Sequence, residues 1–278
     1  MPRADMLVIG GPQTGKTHYG GQLYGRLRDR PGRLALADKP GDTTPFEEVL
    51  RALGDGRSAG HTPTATWVDL DLNVKTEGGE AANLFWPDYG GEQVQSLVDQ
   101  REVPARWRSR LAEARAWMLF IRPNVLQRFE DALHRPAKAE VHPRGESRRA
   151  WDENARVVET LQVLLHVSGR TLLRPLGTPR LAVMLSCWDE LDLTPTRTPE
   201  EVLAERLPMV SAFIESNWAP GAATVWGLSS LGRALSPKDV DEDFLFQGPS
   251  QLGWVIRPGT IAADEDLTAP VAWLLGGA

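Results

Sequence analysis

The sequence predicts an α/β fold, with a doubly wound, mainly parallel sheet and flanking helices, and three observations lead to it. Apolar runs at residues 6–9, 116–121, 180–186 and 223–228 have the length and composition of buried strands. Stretches with helical spacing separate these runs, which is the order expected of β–α–β units. The first run passes through a glycine-rich turn into a helical stretch at residues 18–28, which predicts a strand–loop–helix unit.

Further elements are predicted between these runs. Residues 33–37 read as a short strand and residues 44–53 as a helix. Residues 67–74 alternate between apolar and polar and, with residues 82–86, predict a β-hairpin. Helices are also predicted in a charged stretch up to residue 115 and at residues 125–133, 151–167, 200–218 and 267–275. Two more short strands are predicted at residues 244–246 and 254–256.

The chain is predicted to form one domain, residues 1–278, without an internal repeat. Segments that do not fit the alternating pattern are predicted insertions, at residues 33–60, 97–115, 134–150 and 236–262. The basic stretch at residues 135–149 is expected to be a solvated loop, although it could contact a partner or supply an arginine to a neighbouring site.

Composition narrows the function classes. A net charge of −6 argues against general nucleic-acid binding by the surface. Cys187 is the only cysteine, so an intramolecular disulfide is impossible. The sequence shows no signal peptide, no apolar stretch of about 20 residues and no lipidation motif. A cytoplasmic protein without a direct membrane anchor is therefore expected, and the many arginines are typical of a GC-rich bacterial genome.

The segment from Gly10 to Thr17 fits the phosphate-loop pattern G-x-x-x-x-G-K-[ST]. Glycines such as Gly10 and Gly15 let the backbone approach a polyphosphate, and its N–H groups form an anion nest. The helix that follows directs its positive end at the same phosphates. Lys16 would bind the β- and γ-phosphates, and the Thr17 hydroxyl would ligate Mg²⁺. The alternative is a plain glycine turn, which the strand–loop–helix setting disfavours.

A second motif, Asp88-Tyr89-Gly90-Gly91, fits D-x-x-G and follows a predicted strand. Asp88 could hold Mg²⁺ through a water, and the Gly91 N–H could bind the γ-phosphate. Taken alone, this motif could equally be a glycine turn. Its position downstream of a phosphate loop favours the functional interpretation.

Two further strand ends carry candidates for base recognition. Asp189 could accept hydrogen bonds from N1–H and the 2-amino group of guanine, which adenine does not offer in that arrangement. A loop or helix-capping aspartate is the alternative. Ser229 and Ser230 follow the next strand, where a backbone N–H could meet guanine O6, and an ordinary polar turn is the alternative. The carboxyl ends of parallel strands are where α/β sheets bind ligands.

Together these motifs resemble the Ras-like and translation-factor class of GTPases, and more narrowly the bacterial double-GTPase-type proteins. The closing segment Pro270-Val271-Ala272-Trp273-Leu274-Leu275 adds to the narrower resemblance. It implies GTP or GDP and Mg²⁺ as ligands, protein partners bound through switch segments, and a place in a bacterial signalling or conflict system. It also implies the site residues, which are a phosphate cradle of Gln13, Thr14, Gly15, Lys16, Thr17 and His18, a first-switch metal ligand at Thr64 or else Thr62, and catalytic roles for Lys16, Gly91 and Glu92.

Three departures from the family pattern matter. Ser186 and Cys187 replace the first two residues of the guanine motif N-K-x-D, so the lysine that covers the base is missing. Glu92 stands where many relatives have a water-orienting glutamine, and the segment from Thr17 to Asp88 is long. The sequence therefore predicts a guanine-nucleotide switch with slow, Mg²⁺-dependent hydrolysis. An ATP-dependent enzyme (an ATPase or a kinase) and a non-hydrolysing GTPase-like adaptor stay open as alternatives.

Overall fold

A computed structural model describes residues 6–29, 32–38, 40–60, 67–76, 78–79, 81–89, 91–100, 102–125, 152–170, 173–191 and 196–276. The strands are β1 Met6–Ile9, β2 Leu34–Leu36, β3 Trp67–Thr76, β4 Ala81–Tyr89, β5 Ala116–Ile121, β6 Arg180–Ser186, β7 Ala223–Ser229, β8 Trp254–Ile256 and β9 Ala263–Asp264. The helices are α1 Lys16–Asp29, α2 Thr44–Gly54, α3 Glu92–Asp99, α4 Ala105–Glu113, α5 Glu153–Val167, α6 Pro199–Arg206, α7 Pro208–Asn217, α8 Glu242–Gln247 and α9 Ala269–Leu274.

The predicted α/β architecture is confirmed. A six-stranded sheet has the order β1-β5-β6-β7-β8-β9, in which β1, β5, β6 and β7 are parallel. β8 and β9 extend this sheet in antiparallel pairing. The predicted hairpin is formed by β3 and β4, which with β2 make a separate three-stranded antiparallel sheet. In the described residues, each helix is too short or too polar to cross a membrane.

Most residues of the parallel strands are apolar because both faces of their sheet are covered. Successive residues of a strand point to opposite faces. Leu7 and Ile9 therefore join the apolar cluster that contains residues of α3 to α7, whereas Met6 and Val8 join the cluster with α1, α9 and the β3–β4 hairpin. This packing fixes the carboxyl ends of β1, β5, β6 and β7 at one edge of the sheet.

Several sequence predictions need correction. Residues 200–218 form two helices, α6 and α7, because Pro208 disfavours a helical conformation at Leu207, whose φ and ψ are −137° and 66°. Residues 244–246 lie in α8 rather than in a strand, because the Asp241 side chain caps the helix by accepting the Phe244 N–H at 2.8 Å.

β4 and β7 also run further than predicted, and this changes the position of two candidate site residues. β4 extends through Asp88, which pairs with Val68 of β3 and so lies within the strand instead of after it. β7 likewise includes Ser229, which pairs with Trp254 of β8. In both cases an antiparallel neighbour continues the hydrogen-bonding ladder beyond the apolar run. Two predicted segments lie outside the described residues, namely residues 126–133 of the predicted helix and the basic loop at residues 135–149. The boundaries of the predicted insertions stay predictions.

Candidate nucleotide-binding site

The phosphate loop connects β1 to α1, and two of its residues require special backbone geometry. Gly15 has φ of +78°, which glycine adopts without strain. Gln13 has φ of +58°, an uncommon conformation for a residue with a side chain. Gly10 is required for space, since a Cβ there would lie 2.9 Å from Thr14 Oγ1 and 3.0 Å from Phe120 Cβ. The loop is therefore closely packed against β5.

The Lys16 side chain folds back over this loop. Its Nζ donates to the carbonyl oxygens of Gly10 at 2.9 Å and Gly11 at 2.8 Å, and the residue is only 8% exposed. The Thr14 hydroxyl donates to the Gly11 carbonyl at 2.9 Å, which braces the same turn. A desolvated ammonium at this position provides a strong electrostatic attraction for an anion that enters the loop.

A pocket of about 330 Å³ opens above the loop and brings most of the predicted site together. The predicted residues that line it are Gln13, Thr14, Gly15, Lys16, Thr17, His18, Gly91, Asp189 and Ser230. The pocket therefore combines the phosphate loop, the D-x-x-G glycine and both strand ends that were predicted to recognise the base. This convergence follows from the parallel sheet, which places those strand ends along one edge.

Other predicted residues lie outside that lining. Gly10 is buried beneath the loop, and Ser229 is 0% exposed, with its hydroxyl accepting the Gly232 N–H at 2.9 Å. Ser229 thus shapes the turn that presents Ser230. Glu92 begins α3 and is half-buried without lining the pocket. Thr62, Thr64 and the side chain of Asp88 lie outside the described part of the chain.

Gly91 packs directly on the phosphate loop. A Cβ at this position would overlap the carbonyl group of Gly11 and the nitrogen of Pro12. Its φ of −59° is available to any residue, so this contact, and not conformational freedom, requires glycine. The start of α3 is therefore seated against the backbone that would hold the phosphates.

Gly91→Ala is expected to lower the free energy of unfolding by about 1–3 kcal/mol, because backbone atoms cannot move aside as a flexible side chain would. Gly11→Ala is the matched control, since a Cβ at Gly11 would have no atom within 4 Å. Urea unfolding of both variants measures the effect. Equal stabilities would contradict the close contact between Gly91 and the loop.

His18 connects the phosphate loop to the segment at residues 58–60, which also lines the pocket. Its Nε2 accepts the Ala59 N–H at 3.0 Å, so this nitrogen carries no proton. Desolvation of the imidazole lowers the pKa of His18 to about 4. The neutral ring thus fastens the segment that leads towards the predicted first switch.

Because the unfolded chain binds this proton with a pKa of about 6.5, it holds more protons than the folded state between pH 6.5 and 4. Stability should therefore fall as the pH drops through this range, by at most about 3 kcal/mol from His18. His18→Gln keeps a hydrogen-bond acceptor but has no titrating ring, so it should remove the contribution of His18 to the pH dependence of stability. Urea unfolding at several pH values compares the two proteins, and parallel pH profiles would contradict the interpretation.

The base-recognition end of the pocket is formed by the turn after β6. Cys187 has φ of +52°, and the 3₁₀ turn Trp188–Glu190 follows it. The Trp188 ring packs closely on Gly227 of β7 and so anchors this turn. A Cβ on Gly227 would lie only 2.8 Å from the ring. Burial raises the pKa of the Cys187 thiol to about 11, so the thiol is neutral at physiological pH. Asp189 is half-buried in this lining.

The sequence-based predictions missed Arg122, which directly follows β5 and lines the same pocket. Its guanidinium makes a bidentate ion pair with Glu190, with Nη2 at 2.6 Å from Oε1 and Nε at 3.1 Å from Oε2. Its Nη1 also donates to the Gln13 carbonyl at 3.3 Å. The signal that could have identified Arg122 is its position in the sequence, one residue after a predicted core strand. Arg233 and residues 58–60 of the lining were also missed.

The chemistry of this lining fits a nucleoside triphosphate with Mg²⁺. Lys16 and the N–H groups of a glycine-containing loop suit phosphate oxygens, and the Thr17 hydroxyl suits Mg²⁺. The Asp189 carboxylate supplies acceptors that match the donor edge of guanine. These groups belong to one pocket, as the binding of one extended ligand requires.

Comparisons with known proteins assign the chain to a family. No curated protein matches the sequence significantly. Among solved structures, the chain is similar to a bacterial selenocysteine-specific elongation factor, EF-Sec, at 14% identity and a TM-score of 0.35. That match covers 83% of this chain and 26% of the factor, and it is too weak to bear on function. A family model described as Double-GTPase 1 matches residues 7–274. Because this match spans nearly the whole sequence, the protein belongs to the Double-GTPase 1 family.

Proposed function

We propose that this protein is a guanine-nucleotide-binding switch that hydrolyses GTP slowly with Mg²⁺. The observation that carries the proposal is the composition of one pocket, whose lining includes both the phosphate loop with Lys16 and the Asp189 carboxylate. The first group suits any nucleoside triphosphate, and the second adds a preference for guanine over adenine. The membership of a double-GTPase family supports the same assignment.

In this proposal the residues of the chain bind and orient the nucleotide. The loop N–H groups and the Lys16 ammonium hold the β- and γ-phosphates, and Asp189 accepts from the guanine edge. Bound Mg²⁺ would supply charge neutralisation at the phosphates, with Thr17 as a ligand and Asp88 and Thr64 or Thr62 as further candidates. Gly91 touches the loop at Gly11, so the start of α3 can respond to what the loop holds.

Two alternatives differ from the proposal in what they require of single residues. An ATP-dependent enzyme would use the same loop, but it would have no need for Asp189 in the lining. A non-hydrolysing adaptor would be consistent with Glu92 in place of a glutamine.

The proposed switch would act in a bacterial cytoplasmic signalling or conflict system. Its switch segments, around residues 58–66 and 88–92, would bind a protein partner. GTP-dependent pull-down against GDP-loaded protein would identify such a partner.

The experiment that tests hydrolysis is single-turnover cleavage of bound GTP by the wild type and Glu92→Gln. Glu92 lies in the first turn of α3, immediately after Gly91. A carboxylate near the reaction centre repels phosphate oxygens as their charge redistributes, and it cannot donate a hydrogen bond as an amide can. We expect slow cleavage by the wild type. The variant should cleave at least about tenfold faster, which corresponds to about 1.36 kcal/mol of relieved repulsion in the transition state.

Each other outcome of this experiment has a defined meaning. A slower variant would identify Glu92 as a proton acceptor. Equal rates would place Glu92 outside the reaction centre. Bound GTP that neither protein cleaves with saturating Mg²⁺ would favour the adaptor. Glu48→Gln, at an exposed position of α2, is the matched control and should not change the rate.

A further inference from the structure

Arg122 links three separate parts of the candidate site. It lies one residue beyond β5, whose strand neighbours are β1 and β6. Its Nη1 donates to the Gln13 carbonyl of the phosphate loop at 3.3 Å. Its Nη2 lies 2.6 Å and 2.7 Å from the two carboxylate oxygens of Glu190, in the turn after β6. One side chain therefore ties the phosphate loop to the turn that carries Asp189.

The negative charges in the pocket give the ion pair between Arg122 and Glu190 a second purpose. Glu190 lines the pocket beside Asp189, and a nucleotide brings several negative charges into the same space. The Glu190 side chain is only 17% exposed, so solvent screens it incompletely. Bidentate pairing with a guanidinium neutralises that carboxylate and also fixes its orientation. The Asn124 amide adds a long contact to Glu190 Oε2 at 3.5 Å.

The backbone at both ends of the link is strained. Among the described residues, Gln13 and Cys187 are the non-glycine residues with positive φ, at +58° and +52°. Such conformations persist only when surrounding contacts hold them. Arg122 contacts Gln13 directly, and it reaches the Cys187 turn through Glu190, whose N–H donates to the Cys187 carbonyl at 3.0 Å. The guanidinium is therefore placed to hold both turns in fixed positions relative to each other.

We propose that Arg122 is a positioning residue for guanine recognition. Through Glu190 it holds Asp189 at the base and, through Gln13, keeps that turn at a fixed distance from the phosphate loop. This inference rests on the proposed guanine-nucleotide function.

The test measures base discrimination by calorimetric titration with GDP and inosine diphosphate in Mg²⁺ buffer. Inosine lacks the 2-amino group from which Asp189 would accept a hydrogen bond. The ratio of the two affinities therefore reports how well Asp189 is positioned. Arg122→Ala should weaken GDP binding by about tenfold or more, as expected for the loss of charge-assisted hydrogen bonds. It should also lower the preference for GDP over inosine diphosphate by at least about threefold, since an unrestrained Asp189 discriminates less.

Arg257→Ala is the matched control, because Arg257 also pairs with a carboxylate, that of Asp264, and does not line the pocket. Both arginine side chains are partly buried, with 35% of Arg257 and 23% of Arg122 exposed. It should change neither the affinity nor the ratio. If Arg122→Ala does not fold, Glu190→Gln gives the same readout, since a single amide oxygen cannot pair with both arms of the guanidinium. A lower GDP:inosine ratio in that variant supports the inference.

An unchanged ratio would overturn the inference, whether or not both affinities fall together, because a merely structural or electrostatic role weakens both nucleotides equally. The wild type separates this result from failure of the proposed function. A wild type that prefers ADP to GDP would refute the guanine-nucleotide assignment itself. A wild type that prefers GDP, with an unchanged ratio in Arg122→Ala, would refute only the role of Arg122.

Discussion

Lys16→Ala is expected to weaken GTP binding by at least about a hundredfold. Charge-assisted hydrogen bonds contribute about 1.5–3 kcal/mol each, and phosphate oxygens that lose the ammonium in a partly desolvated pocket add to the loss. Lys16 is 8% exposed and its ammonium lies over the loop, held by the Gly10 and Gly11 carbonyls. Calorimetric titration with a non-hydrolysable GTP analogue measures the change.

The fold should survive this substitution, because alanine favours the first turn of α1 and removal of a buried ammonium relieves its desolvation cost. The melting temperature of the nucleotide-free protein should therefore stay within a few degrees of the wild type. Lys75→Ala on β3, outside the pocket lining, is the matched control and should retain full affinity. Wild-type affinity in Lys16→Ala would remove the assignment of residues 10–17 as a phosphate loop.

The parallel core was the most predictable part of the fold. The apolar runs at residues 6–9, 116–121 and 180–186 coincide with β1, β5 and β6, and β7 is one residue longer than its predicted run at 223–228. Strands covered on both faces are apolar at nearly every position, so the apolar runs of the sequence locate these strands closely. The strand ends then determined which polar residues could meet at one edge, and Asp189 and Ser230 do line the pocket there.

Elements at the periphery were predicted less well because local interactions decide them. α8 forms where residues 244–246 were predicted to form a strand, since Asp241 caps the helix and acidic residues occupy its first turn. Ser229 was expected to face the ligand, but pairing with β8 draws it into the sheet. Arg122 was missed because no motif contains it. Its role depends on Gln13 and Glu190, which lie 109 and 68 positions away in the sequence.

Asp189→Asn is expected to exchange the base preference of the protein from guanine to xanthine. The carboxylate offers two acceptors to the N1–H and 2-amino donors of guanine. An asparagine amide offers one acceptor and one donor, and xanthine presents N1–H beside a carbonyl oxygen, so the amide is complementary to xanthine. GDP binding should weaken by about ten- to a hundredfold, because the guanine 2-amino group would face another donor. Xanthosine diphosphate binding should strengthen by a similar factor.

Competition of labelled GDP with GTP, XTP and ATP measures this exchange in the wild type and the variant. Asp239→Asn is the matched control, because Asp239 is exposed, accepts the Ser236 hydroxyl at 2.9 Å and does not line the pocket. Gain of xanthine binding is the decisive result, since a variant that was merely damaged could lose guanine affinity but could not acquire a new ligand. Wild-type protein that prefers ATP would instead support an ATP-dependent enzyme. A variant that loses GDP without gaining xanthine would show that Asp189 maintains the turn after β6 and does not contact the base.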